Sequence, residues 1–228
     1  HGFSNGDVVD ITGVKVADST ATRGWSYDTE IEGTGYTVAG ATTHTFQLQN
    51  NGANVNGSAF KVYSSAGVVR KAVTTVGGMR HLEGQSVVAL ANGYVVRSLT
   101  VSSGSVTLPS PASRVHVGLP YTSEMQSLRV DNGKAVETIQ GRDKKIGRLT
   151  MRFETTLGGW YGPDRDHMRE IKYGLSAQYG QPPAWVTGDK GVTMSPSWNK
   201  DGYVIVQQRD PLPMNLLALI PDVVVGGN

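Results

Sequence analysis

Asp164, Arg165, Asp166, His167, Arg169 and Glu170 form the densest cluster of titratable side chains in the sequence. By residue type, two aspartates, a histidine and a glutamate so close together are metal donors. Arg165 and Arg169 stand among them and would oppose a bound cation, so the cluster reads better as a charge-balanced, solvated turn after Pro163. Gly188-Asp189-Lys190-Gly191 has the residue types of a phosphate loop but neither P-loop spacing nor a following helix. It is expected to be a tight turn between strands at 184–187 and 192–194. Glu83 with Glu154, or Asp164 with Glu170, would be the carboxylate pairs for glycoside hydrolysis. A carbohydrate site also needs aromatic platforms. Trp25, Trp160, Trp185 and Trp198 fall in separate segments, and Trp160 and Trp185 are expected to pack under Gly158-Gly159 and Pro182-Pro183. No Gly-x-Ser-x-Gly elbow occurs. The basic run Arg142, Lys144, Lys145, Arg148 is broken by Asp143 and has no interleaved aromatic residues. It reads as the solvated start of a strand or as a subunit contact. We assign no catalytic, cofactor-binding or metal-ligating residue.

Composition narrows the classes further. The 228 residues suffice for one large or two small domains. A 38% hydrophobic share is that of a folded chain. The net charge of +2 makes no case for nucleic-acid binding as the main task. There are no cysteines, which excludes disulfides and thiolate metal sites. No apolar run reaches about 18 residues, so no membrane-spanning helix is expected. The chain starts at His1, within what reads as a strand motif, and we expect it to belong to a longer polypeptide.

The elements that would carry these residues read as strands. Candidates are Asp7–Ile11, Gly35–Gly40, Thr45–Gln49, Phe60–Tyr63 and Val68–Val73, with turns at Asn5-Gly6, Asn51-Gly52 and Asn56-Gly57. Asp18 to Thr34, polar around Trp25 and Tyr27, reads as a long loop of the kind that makes contacts. Further along, Val87–Leu90 and Tyr94–Val96 flank Asn92-Gly93, and Leu99–Val101 and Val106–Leu108 flank Ser103-Gly104. Arg114–Gly118, Ile146–Thr155, Tyr203–Gln207 and Met214–Ile220 complete the set, the last apolar enough to be buried on both faces. Arg165 to Tyr173 fits both helical and alternating spacing; a short strand after at most one helical turn is the preferred reading. The fold class is all-β with little helix, in two domains: a small β-barrel module at 1–73 and a β-sandwich-like body at 74–228.

Particular blocks of sequence carry a resemblance. HGFSNGD at 1–7, the TGV at 12–14, YTVAGATTHTFQLQ at 36–49 and Tyr63 before Gly67 resemble a small β-barrel module inserted in podophage tail proteins. That module is similar to the first catalytic-cysteine half-domain of ubiquitin-activating enzymes, whose thioester chemistry a cysteine-free chain does not have. HLEGQSVVALANG, PASRVHVGLPYTS, LTMRFETTLGGWYGPD, PPAWVTGDKGV and QQRDPLPMNLLALIPDV, in that order, resemble the C-terminal part of the podophage tail nozzle, or stabilisation, proteins. The resemblance implies a virion protein of the phage tail without enzymatic activity. It implies a homo-oligomeric, hexameric ring around a DNA-ejection channel. Its partners would be other tail proteins such as the adaptor and fibres, and genomic DNA passing without sequence-specific binding, with no insertion into a membrane. The alternative is a tail-associated protein that binds or degrades polysaccharide. Trp25, Tyr27, Trp160 and Tyr161 are the expected subunit or partner contacts.

Overall fold

The tightest turns come from residues that tolerate positive φ. Asn51 and Gly52 (φ 50° and 80°) and Asn92 and Gly93 (φ 49° and 86°) each close a two-residue hairpin. Asn and Gly are favoured there because the twist of such a turn matches that of the strands it joins. The structure, a computed structural model, describes residues 1–18, 20–21, 25–28, 31–58, 60–131, 138–173, 183–194 and 197–226; of Trp25 only the backbone is described. Apart from one short 3₁₀ turn at Arg80–Leu82, the regular elements of the described residues are all strands.

The chain separates into two compact units, His1–Val117 and Gly118–Asn228. Unit 1 contains β1 (Val8–Ala17), β2 (Trp25–Tyr27), β3 (Gly33–Ala39), β4 (Gln47–Asn50), β5 (Ala53–Asn54), β6 (Tyr63–Val76), β7 (Ser86–Ala91), β8 (Tyr94–Thr100), β9 (Val106–Ala112) and β10 (Val115–Gly118), which ends at the division. One sheet has the order β5-β4-β3-β1-β6-β9, with β2 also on β1; a second has the order β10-β7-β8. The division expected at 73/74 falls inside β6. That strand pairs with β1 from Tyr63 to Ala72 and with β9 at Val73–Val76, so residues on both sides of the expected boundary share one sheet. Val9, Ile11, Tyr36 and Val38 form one core cluster, and Met79, Val87, Val101 and Val106 another.

Unit 2 contains β11 (Ser123–Gln126), β12 (Lys144–Thr156), β13 (Trp160–Gly162), β14 (Arg169–Glu170), β15 (Val186–Thr193), β16 (Ile205–Gln208) and β17 (Asn215–Val225). Their sheets run β11-β16-β13-β14 and β15-β12-β17. β12 alternates, as its sequence predicts. Ile146, Leu149, Met151 and Phe153 are buried and meet Tyr161 and Val206 of the other sheet and Val204 just before β16. Two sheets sharing one apolar layer is sandwich packing.

Several expectations change. Trp25–Tyr27 is a strand rather than part of a loop, because it finds backbone partners on β1 at Ala17, Val16 and Lys15. Phe60–Tyr63 is not a strand; only Tyr63 joins one. The Gly188–Gly191 turn does not form: these residues continue β15 opposite Phe153, Arg152, Met151 and Thr150. Residues 163–167 are bends, and the short strand that follows is β14. The last strand is not buried on both faces; it lies at a sheet edge and exposes Leu217, Ile220 and Val224.

Candidate functional site

The residues expected to make contacts separate into different environments. Tyr27 is 59% exposed on β2, opposite Lys15, whose ammonium lies 6.0 Å from the ring centre. Trp25 pairs its backbone with Ala17. Tyr161 is 7% exposed, and its hydroxyl donates to the Thr193 carbonyl at 3.1 Å, so the ring is part of the unit 2 core. Trp160 beside it is half-buried, with the Arg209 guanidinium 4.5 Å from its ring centre. That stacking is a cation–π contact within the unit.

The Gly158-Gly159 pair serves the same interior. Both have positive φ, and a Cβ on Gly159 would lie 2.1 Å from Met214 Cε. The close approach lets the Gly159 carbonyl accept from the Ile171 N–H at 2.9 Å and the Gly158 carbonyl accept from the Tyr173 hydroxyl at 2.7 Å. Burial pushes the Tyr173 phenol up to about 12. This loop is glycine-rich for packing reasons, and its aromatic residues face inward or under Arg209.

Glu83 and Asp164, two of the carboxylates considered for chemistry, have structural partners. Glu83 accepts from the N–H groups of Ser103 and Gly104 at 2.8 and 2.7 Å, holding the turn at Ser103-Gly104. Asp164 accepts from the backbone of Asp166 and His167 and from His167 Nδ1 at 2.8 Å. Burial works to raise the Asp164 pKa, but the hydrogen bonds from the His167 side chain and the two backbone N–H groups outweigh it and hold it low. Arg165 turns away to Glu124 of β11, with Nη2 2.5 Å from Oε1. Arg165 first, and then Gln207, keep the Glu124 carboxyl below its usual range. Asp189 is likewise held low by Arg152 across the β12–β15 pair. Among the described residues no three His, Cys, Asp or Glu side chains converge as a metal site would require.

Sequence reasoning missed three features. Lys144 is 0% exposed, where a solvated strand start was expected. Its ammonium donates to the carbonyls of Val130 and Lys200 at 3.3 and 3.1 Å, and Gly202 leaves room for its stem. Nothing in the run of basic residues signals this, since the burial depends on residues 14 and 56 positions away. Trp185 is 65% exposed rather than packed under its prolines, and Trp198 is half exposed.

The third is a surface. β17 is an outer strand of its sheet, and Leu217, Ile220 and Val224 stand exposed along it. Trp198 lies at its end, 3.5 Å from where a Cβ on Gly226 would be. Pro221 and Asp222, which interrupt the apolar run, were the available signal: proline in a sheet belongs at an edge. At the opposite edge of the same sheet, β15 pairs only with β12 among the described residues.

Comparison with known protein families and with curated proteins returns no match for this sequence.

Proposed function

We propose that this chain is a structural subunit of a short-tailed phage tail nozzle, assembling into a hexameric ring around the channel through which DNA is ejected. Two lines support the reading. The first is the ordered series of sequence blocks from His81 to Val223 that resembles the nozzle proteins. The second, which carries the physical argument, is the exposed apolar strand edge of β17. An unprotected edge with apolar side chains is a template for another chain. A ring needs two different complementary patches on each subunit. The outer edge of β17 supplies one of them, adding to a complementary strand edge on the next copy.

Light scattering with negative-stain imaging of the purified chain tests this. Rings that Leu217→Lys with Ile220→Lys dissolves into monomers are the expected result. A monomer at every concentration, alone and with tail extract, overturns it.

A second reading has its own support. Tyr121, Trp185 and Trp198 are exposed aromatic residues of the kind that stack on sugars. Binding to a host surface polysaccharide, lost in Trp185→Ala, would favour a glycan-binding tail component.

A further inference from the structure

An open cleft of about 530 Å³ lies in unit 2, where the outer strands β14 and β15 part. Tyr161, Arg169, Glu170, Lys172, Lys190 and Gly191 are among its lining residues. Arg169 and Lys172 are exposed and Lys190 half-buried. Three cations and one carboxylate give the cleft a charge of +2, equal to the formal net charge of the whole chain. Over the rest of the chain acidic and basic side chains are equal in number. Asp189, the chain neighbour of Lys190, does not neutralise it: its carboxylate is paired with Arg152 at 2.7 Å.

We propose that this cleft binds phosphate groups of double-stranded DNA without reading its sequence. The cleft offers charge and little else. The Tyr161 hydroxyl is committed to Thr193 and its ring is buried, so no aromatic face is presented for stacking bases or sugars. A surface that meets nucleic acid through Lys and Arg alone contacts the backbone and carries no base information. Such binding is weak and governed by counterion release. Weakness suits a channel wall, because DNA held tightly there would stall. Anion binding follows from the cleft itself; the choice of DNA over an acidic glycan rests on the nozzle reading.

The test is a titration of the isotope-labelled full chain with a random-sequence DNA duplex, followed by NMR at several salt concentrations. Three phosphate contacts predict a slope of log K against log salt of about −2.7, or about a 40-fold loss between about 50 and 200 mM salt. Arg169→Gln, Lys172→Gln and Lys190→Gln should each reduce the slope by about one. Lys61→Gln, in unit 1, should change nothing. Shifts confined to the cleft, with these slopes, support the proposal. No binding at low salt, or binding that the three variants leave intact, overturns it. Preference for a carboxylated polysaccharide over DNA at the same residues overturns the DNA assignment. Light scattering on the same samples separates the two claims: a ring that ignores DNA sinks the cleft alone, whereas a monomer that binds DNA sinks the ring alone.

Discussion

Asn92 donates from its side-chain amide to the carboxylate of Asp10 at 2.9 Å, joining residues 82 positions apart. Asp10 is 3% exposed, and its other oxygen accepts from the Gly35 N–H. Asn92 Oδ1 in turn accepts from the N–H groups of Ser113 and Arg114. The turn residue of the β7–β8 hairpin is thus also the clasp that holds this hairpin to β1 and to the end of β9.

Removing either half should loosen unit 1. Asp10→Ala leaves two part-buried hydrogen-bond donors without their acceptor and should cost about 1–3 kcal/mol. Asn92→Gly keeps the positive φ that the turn needs and removes only the clasp, for about 1–2 kcal/mol. Urea unfolding measures both. An unchanged midpoint for Asn92→Gly would show that the clasp adds no stability.

Lys144 makes a contrasting case. Lys144→Ala should cost about 2–5 kcal/mol through the cavity it leaves. Lys144→Met fills that space and removes a buried charge, a change that is often tolerated, so it should cost markedly less. Gly202→Ala should also destabilise the unit, since its Cβ would lie 2.7 Å from Lys144 Cδ at a φ of +64°. Thermal unfolding of the three variants should rank Met above both alanine variants; Lys144→Met falling level with Lys144→Ala would mean that the ammonium, rather than the packing of the stem, matters most.

Tyr173 ties the stability of unit 2 to alkaline pH. Its folded pKa, about 12, lies above the ordinary tyrosine value of about 10. Its stabilising effect is complete below the unfolded value and is lost as pH rises through the folded one, a window of about pH 10–12. Tyr173→Phe should flatten the decline in stability across that window and cost about 1 kcal/mol at pH 7 for the lost hydrogen bond. Chemical denaturation at stepped pH checks both effects.

Glu124 acts at the acid end. Its folded pKa is depressed, so its contribution is present above the unfolded value of about 4.3 and is lost as pH falls through the folded value. Arg165→Gln should therefore lower stability at pH 7 and leave it unchanged at pH 2. Equal effects at both pH values would assign the role of Arg165 to packing.

Legibility in the sequence followed the range of the interactions involved. The β7–β8 hairpin was readable because Asn92-Gly93 states its own backbone requirement, and β12 because alternation from Ile146 to Phe153 needs no partner to be recognised. Trp25–Tyr27 was not readable, since its strand state comes from pairing with Lys15–Ala17 across a polar connection. Gly188–Gly191 has turn composition, and only β12 alongside keeps it extended. The division of the chain was hidden for the same reason: the Asp10–Asn92 clasp and the length of β6 tie early to late residues. Among the candidate contacts, residue type alone could not separate Tyr27, which is exposed, from Tyr161, which the opposing sheet covers. Lys144 defied its type altogether.

β6 has a mechanical consequence. It runs from Tyr63 to Val76 and is laced to β1 along eight paired positions. Tension applied along its axis loads those rungs in shear, so they must fail together rather than unzip one at a time. A subunit that carries load along this strand gains resilience from such a tie.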